Sequence, residues 1–255
     1  MQYGVCGGPE IAGPAAKAGY EYFEWTVGAL LTPREDDAAF RVALANAKAA
    51  PILCPVVNVF IPADLKIVGP AVDRAALDRY VAVACARAAQ AGVAVIVFGS
   101  GGARRIPDGF DRAAAHAQLV EFCRMAGGYA ARHGVVIVAE PLNRKECNVL
   151  TTVGESAALV REVNHPQFRL LVDGYHWALD SDSAADLVAG GPLLAHAHVA
   201  TTTTRMAPGS EPSDLGPFFA ALRRAGYRGR MSIEGKIPNP DVDLPRALAL
   251  MKSLE

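Results

Sequence analysis

Short runs of Val, Ile and aromatic residues alternate with longer Ala-rich amphipathic stretches, and the alternation repeats eight times along the chain. Strands separated by helices pair in parallel, so this pattern specifies repeated βα units on a parallel sheet. The strand candidates are 3–6, 20–25, 52–60, 93–99, 135–140, 168–173, 193–199 and 230–234. A continuous apolar run such as Val93-Ala94-Val95-Ile96-Val97-Phe98 suits a strand covered on both faces. Helix candidates cover 71–91, 111–133, 152–164, 183–189, 214–225 and about 241 to the chain end. A further helix is expected from Thr32, read as an N-cap before Pro33 at the first helical position.

Eight such units can close into a barrel or open into a doubly wound sheet. The open sheet is disfavoured: Gly7-Gly8 after the first strand is no dinucleotide fingerprint, and there is no P-loop. The length of 255 residues matches the roughly 250 typical of one closed barrel, and no linker or low-complexity tract divides the chain. A single (β/α)8 TIM barrel over residues 1–255 is therefore expected. With 51% hydrophobic residues there is ample material for its core.

Twenty-five basic against 26 acidic residues give no field that would draw nucleic acid or an anionic membrane. No segment reaches membrane-spanning length, and the N-terminus has no signal-peptide pattern. The five cysteines are scattered without a C-x-x-C pair, which reads as reduced thiols in a cytoplasmic protein.

In a (β/α)8 barrel the chemistry sits where the strands end. The runs 135–140, 170–173, 195–198 and 231–234 end in Glu140, Asp173, His198 and Glu234. One acidic residue at a strand end is more often a cap or a salt-bridge partner. Four in register on consecutive strands form a converging cluster whose mutual repulsion a divalent cation resolves. Oxygen-rich ligation with one nitrogen favours Mn, Mg or Co, with Zn as an alternative. His196 shares a face with His198 and is read as a buried core histidine or a support for the site.

The segments Glu140-Pro-Leu-Asn-Arg-Lys-Glu146, Asp173-Gly-Tyr-His176, His196-Ala-His198 and Ile233-Glu234 resemble, in order and spacing, the sugar isomerases and epimerases of the xylose-isomerase-like superfamily. The resemblance is nearest to the D-tagatose and D-psicose 3-epimerase group. It implies a metal held by Glu140, Asp173, His198 and Glu234, and proton transfer through a metal-bound cis-enediolate. Glu140 and Glu234 would then be the catalytic acid/base pair flanking C3 of a ketose. It further implies that His176 donates to the substrate O2, that Glu146 holds the substrate end, and that Arg205 assists. Arg205 arrives one residue later than the family spacing, after the run Thr201-Thr202-Thr203-Thr204. A dimer or tetramer is also implied.

After the fourth strand, Gly99-Ser100-Gly101-Gly102-Ala103-Arg104-Arg105 reads as a flexible Gly-rich loop. Arg104 and Arg105, with Lys236 after Glu234, could bind a phosphate or carboxylate. Equally, the two arginines could pair with Asp108 or Asp111. The expected partner is a small-molecule sugar, sugar phosphate or sugar acid. Trp25, Trp177 and Phe60 could wall its pocket, although packing is the commoner role. An aldose-ketose isomerase of the hydroxypyruvate type uses the same carboxylates, and an inosose-type dehydratase shares the scaffold. An endonuclease of the apurinic-site type is disfavoured, because the earlier strands offer Asn58 and Ser100 where it needs histidines.

Overall fold

A computed structural model describes residues 1–255. The strands are β1 (Gln2–Cys6), β2 (Tyr22–Thr26), β3 (Leu53–Asn58), β4 (Val95–Phe98), β5 (Val136–Ala139), β6 (Phe168–Asp173), β7 (Leu194–Val199) and β8 (Arg230–Ile233). All pair in parallel and in sequence order, and β8 pairs with β1 to close the barrel. The helices are α1 (Pro9–Ala18), α2 (Val27–Leu30), α3 (Asp37–Lys48), α4 (Arg74–Ala91), α5 (Gly101–Arg104), α6 (Arg112–His133), α7 (Val153–Val163), α8 (Gly174–Leu179), α9 (Ala184–Gly190), α10 (Gly216–Arg224) and α11 (Pro240–Leu254). No helix is long and apolar enough to cross a membrane.

Side chains alternate along each strand, which divides the core in two. Outward-facing residues such as Phe23, Val57, Ile96, Phe98 and Ile137 join the helices in a layer of 63 buried residues. Inside the barrel, Tyr22, Val56, Val95, Val97, Val138 and Leu171 form a smaller apolar plug. Two positions further along the same strands, the inward face becomes polar: Glu24 follows Tyr22, Glu140 follows Val138, and Asp173 follows Leu171. Register holds these residues level, since Cys6 lies opposite Glu24, Asp173 opposite His198, and His198 opposite Ser232.

Most helix ends lie where their capping residues predict. Asp111 accepts from the Ala114 N–H at the start of α6, Thr152 from Glu155 at α7, and Ser183 from Asp186 at α9. Thr32 is a correction. Its φ of 42° is left-handed, whereas an N-cap is extended, and α3 instead starts after Asp36, which accepts from Ala39. Buried Arg87 of α4 reaches across to the carbonyls of Leu31, Thr32 and Glu35, fixing residues 31–35 as a loop. Four short or irregular helices went unpredicted, among them the single turn α2, capped by Thr26. In α1, Pro14 removes an internal hydrogen bond and Gly13 weakens propensity, yet the helix packs against α11. The supposed Gly-rich loop contains the single turn α5, and α8 follows directly on Asp173, which caps it through Tyr175 N–H.

Candidate active site

The C-terminal mouth of the barrel gathers Glu140, Asp173, His176 and Glu234, whose ligand-capable atoms all lie within 4.8 Å of one another. These residues line a cavity of about 240 Å³ together with Asn58, Glu146, Arg205 and the turn around Gly99–Gly102. His198 is fully buried beside them. Its Nδ1 is 3.3 Å from Glu140 Oε1 and 3.4 Å from Glu234 Oε2.

Glu140 depends on the shape of the neighbouring strand end. A Cβ on Gly99 would lie 2.3 Å from Glu140 Oε2, so only glycine leaves room for this carboxylate. On the other side of the mouth Arg205 meets three carboxylates: Glu234 at 2.5 Å, Asp173 at 3.5 Å and Glu146 at 3.6 Å. Its guanidinium also lies over the Tyr175 ring, 4.6 Å from the centroid. The threonine run before it is a loop closed by Glu211, which accepts from the Thr201 hydroxyl and from the N–H and O–H of Thr204. That closure delivers Arg205 in a left-handed conformation, φ 58°.

The two histidines of the rim are held in opposite senses. His176 Nδ1 accepts from the Asn143 backbone N–H at 3.3 Å and from its side-chain Nδ2 at 2.8 Å. Its remaining proton therefore sits on Nε2, 3.6 Å from Asp173 Oδ2, where the ring is a hydrogen-bond donor. His198 Nε2 faces Glu24 Oε1 at 2.9 Å, and a carboxylate can only accept, so this nitrogen carries the proton. Nδ1 is then left turned towards the acidic cluster.

Burial shapes the protonation of the cluster. Desolvation pushes the Asp173 carboxyl above its ordinary range, and the nearby Glu234 charge adds to this against His176 and Arg205. Burial pushes on Glu234 in the same direction, but His198 and Arg205 outweigh it and hold that carboxyl below its ordinary range. His198 also shows this competition: burial disfavours its charge, yet Glu24 and Glu234 raise it well above the usual imidazole range. These shifts share one cause: three clustered carboxylates, Glu140, Asp173 and Glu234, draw positive charge onto Arg205 and His198. Oxygen donors with one imidazole nitrogen and an excess of carboxylates fit a divalent cation. His176 is less suited as a ligand, because its inward nitrogen carries the proton.

The basic residues of the rim divide. Arg104 is fully buried, and its guanidinium donates to the carbonyls of Phe98, Glu140 and Leu150 at 3.0, 2.7 and 3.4 Å. That corrects its reading as a substrate residue: both terminal nitrogens bond backbone carbonyls and tie β4, β5 and the following loop together, while the buried Nε has no partner. Arg105 is exposed and donates to the Lys145 carbonyl, and neither arginine pairs with Asp108 or Asp111. Lys236 is exposed in a shallow recess with Cys6, Arg205, Glu234 and Gly235. Among the aromatics, Phe60 packs outside the barrel against Phe98 and Phe122, and Trp177 against Phe218. Trp25 lies partly buried in a separate surface groove beside Pro9 and Pro51.

Two contributors were not singled out from the sequence. Asn143 orients His176 and also donates to Glu146 at 2.9 Å. Glu24, in the middle of β2, is completely buried and accepts from His196, His198 and Ser232. A glutamate inside a strand covered on both faces was its only sequence signal. His196 is buried in this network, with Nε2 3.0 Å from Glu24 Oε2.

Comparison with known proteins adds an independent line. Residues 13–254 match the family described as xylose isomerase-like TIM barrel. Among curated relatives, the L-ribulose 3-epimerase of Methylomonas sp. (strain DH-1) is 36% identical over 107 residues, 42% of this chain and 37% of that protein. A putative hydroxypyruvate isomerase of Mus musculus is 29% identical over 160 residues, 59% of this chain and 57% of that one. The matches thus span about a third to three-fifths of these relatives. Among solved structures, D-allulose 3-epimerase from Methylomonas sp., in complex with D-allulose, superposes with a TM-score of 0.84 at 23% identity, covering 100% of this chain and 97% of that one.

Proposed function

This chain belongs to the xylose isomerase-like TIM-barrel family, and on that premise we propose that it is a divalent-metal-dependent isomerase moving a proton on a carbon beside the carbonyl of a small sugar. C3 epimerisation of a ketose is the favoured reaction. The observation that carries the reading is the convergence of Glu140 and Glu234 on one histidine nitrogen, at 3.3 and 3.4 Å, from strands with β6 and β7 between them. Two carboxylates at one reacting carbon can divide the work, one removing a proton and the other returning it.

Glu140, Asp173, His198 and Glu234 would hold the ion, which when bound supplies Lewis acidity that acidifies the C–H beside a carbonyl. His176, with its proton fixed on Nε2, donates to a substrate oxygen. Arg205 neutralises the carboxylates not engaged at a given moment and keeps Glu234 ionised. Glu146, 42% exposed on its side chain and held by Asn143, stands at the outer edge to receive a substrate hydroxyl. Arg104 no longer supports a phosphate subsite, so a neutral sugar is favoured over a sugar phosphate or acid, with exposed Arg105 and Lys236 the cations left at the rim.

Solvent deuterium incorporation tests the reaction. Turnover of ketoses with Mn, Mg or Co in D2O is expected to place label at C3, and Glu140→Gln and Glu234→Gln are each expected to lower the rate about 10²–10⁴-fold. Full activity in either variant overturns the assignment of the pair. The similarity to a putative hydroxypyruvate isomerase favours a second reading, aldose-ketose isomerisation. Label at C1 alone would select it. We further propose a homo-oligomer of two or four copies, measurable by sedimentation.

A further inference from the structure

We infer that Glu24 is a positioning residue for the proposed metal centre: its single carboxylate fixes both β7 histidines with the proton on Nε2, so that His198 presents Nδ1 to the ion. The inference rests on the metal reading above. It concerns a residue that touches no reacting atom.

A carboxylate with no exposure to solvent costs several kcal/mol unless donors surround it. Glu24 has three. Ser232 Oγ donates to Oε2 at 2.6 Å, His196 Nε2 to Oε2 at 3.0 Å, and His198 Nε2 to Oε1 at 2.9 Å. Ser232 has one proton, and with it on Glu24 the Tyr22 hydroxyl, 2.9 Å away, is left to donate to Ser232 Oγ. Because the carboxylate is an acceptor only, each imidazole must turn a protonated Nε2 towards it. His196 and His198 lie two residues apart on one face of β7, their rings 4.9 Å apart at 86°, so both reach the two oxygens of one carboxylate.

The consequence falls on the other nitrogen of His198. Without Glu24 this ring could hold its only proton on Nδ1 and donate it to Glu140 or Glu234, satisfying the cluster with a hydrogen bond in place of a cation. Glu24 removes that neutral arrangement. Carboxylate partners of this kind orient a ligating histidine, and their loss weakens metal affinity by about 10–100-fold.

Glutamine is the informative replacement. Its carbonyl can accept from one imidazole, while its amide N–H opposes the other. Mn²⁺ titration by calorimetry is expected to show about 10–100-fold weaker binding to Glu24→Gln than to wild type. Far-UV circular dichroism and the thermal midpoint of the metal-free variant are expected to match wild type. Equal Mn²⁺ affinity in a folded variant overturns the inference alone, whereas a wild type that binds no Mn²⁺ overturns the metal reading and this inference with it. Should the variant not fold, ¹⁵N spectra of the histidines in Zn²⁺-loaded wild type decide. A protonated Nε2 and a metal-shifted Nδ1 on His198 support the assignment; a proton on Nδ1 overturns it.

Discussion

At the scale of single residues, close approach matters as much as chemistry. Gly99 is the clearest case, because any side chain there meets the Glu140 carboxylate. Gly99→Ala is expected to displace Glu140 and lower turnover by about 100-fold, the cost of moving a reacting group by roughly an ångström. Circular dichroism should show an intact fold. Arg104 represents the opposite role, since its donors serve backbone carbonyls of Phe98, Glu140 and Leu150. Arg104→Ala leaves those acceptors unmet beside a cavity and is expected to destabilise the protein by about 3–4 kcal/mol in urea unfolding. These two residues show how far the site could be read in advance. Glu140, Asp173, His198 and Glu234 each end an apolar run, so position along the strand exposed them. Arg104 sits in the same rim segment but turns inward, and no local pattern reveals the direction of a long side chain. Glu24 was hidden for a related reason: its partners His196, His198 and Ser232 lie at least 172 residues away in sequence.

Elements were most legible where an apolar period coincided with end signals. For α6, Asp111 accepts from Ala114 at the start and Gly134 adopts a left-handed φ of 67° at the end. Asp111→Ala is expected to cost about 1 kcal/mol through the lost cap. Gly134→Ala, with no atom within 4 Å of the new methyl, is expected to cost about 1–2 kcal/mol from backbone strain alone. Denaturant midpoints of the two variants and their double would check both values and their additivity. Where composition opposed structure, reading failed. In α1 two prolines and a glycine disguise a helix that tertiary packing on α11 stabilises. At residues 31–35 the Thr-Pro signal was overridden by Arg87, whose donors take the loop carbonyls. Most strand ends shifted by one or two residues, as at β3, where the left-handed Val59 breaks the extended run after Asn58.

For the molecule as a whole, the same burial that shapes the site governs alkaline stability. Desolvation pushes Cys54, Cys85 and Tyr80 up to about 12, from ordinary values of 9.0 for the thiols and 10.0 for the phenol. Below pH 9 both folded and unfolded chains keep these protons, and the groups add no pH dependence. Between about 9 and 12 only the unfolded chain releases them, so stability is expected to fall as pH rises through that window. Urea unfolding from pH 8 to 11 checks the slope. The network around Glu24 also sets an order of assembly. It joins β2, β7 and β8, and Ser232 and Glu234 belong to the last strand and its end. During synthesis, seven strands emerge before the residues that complete this carboxylate's shell. The site therefore comes into being at ring closure, through contacts as distant as 208 residues, the kind that slow folding. An ion that binds only the finished mouth draws the chain towards closure by mass action.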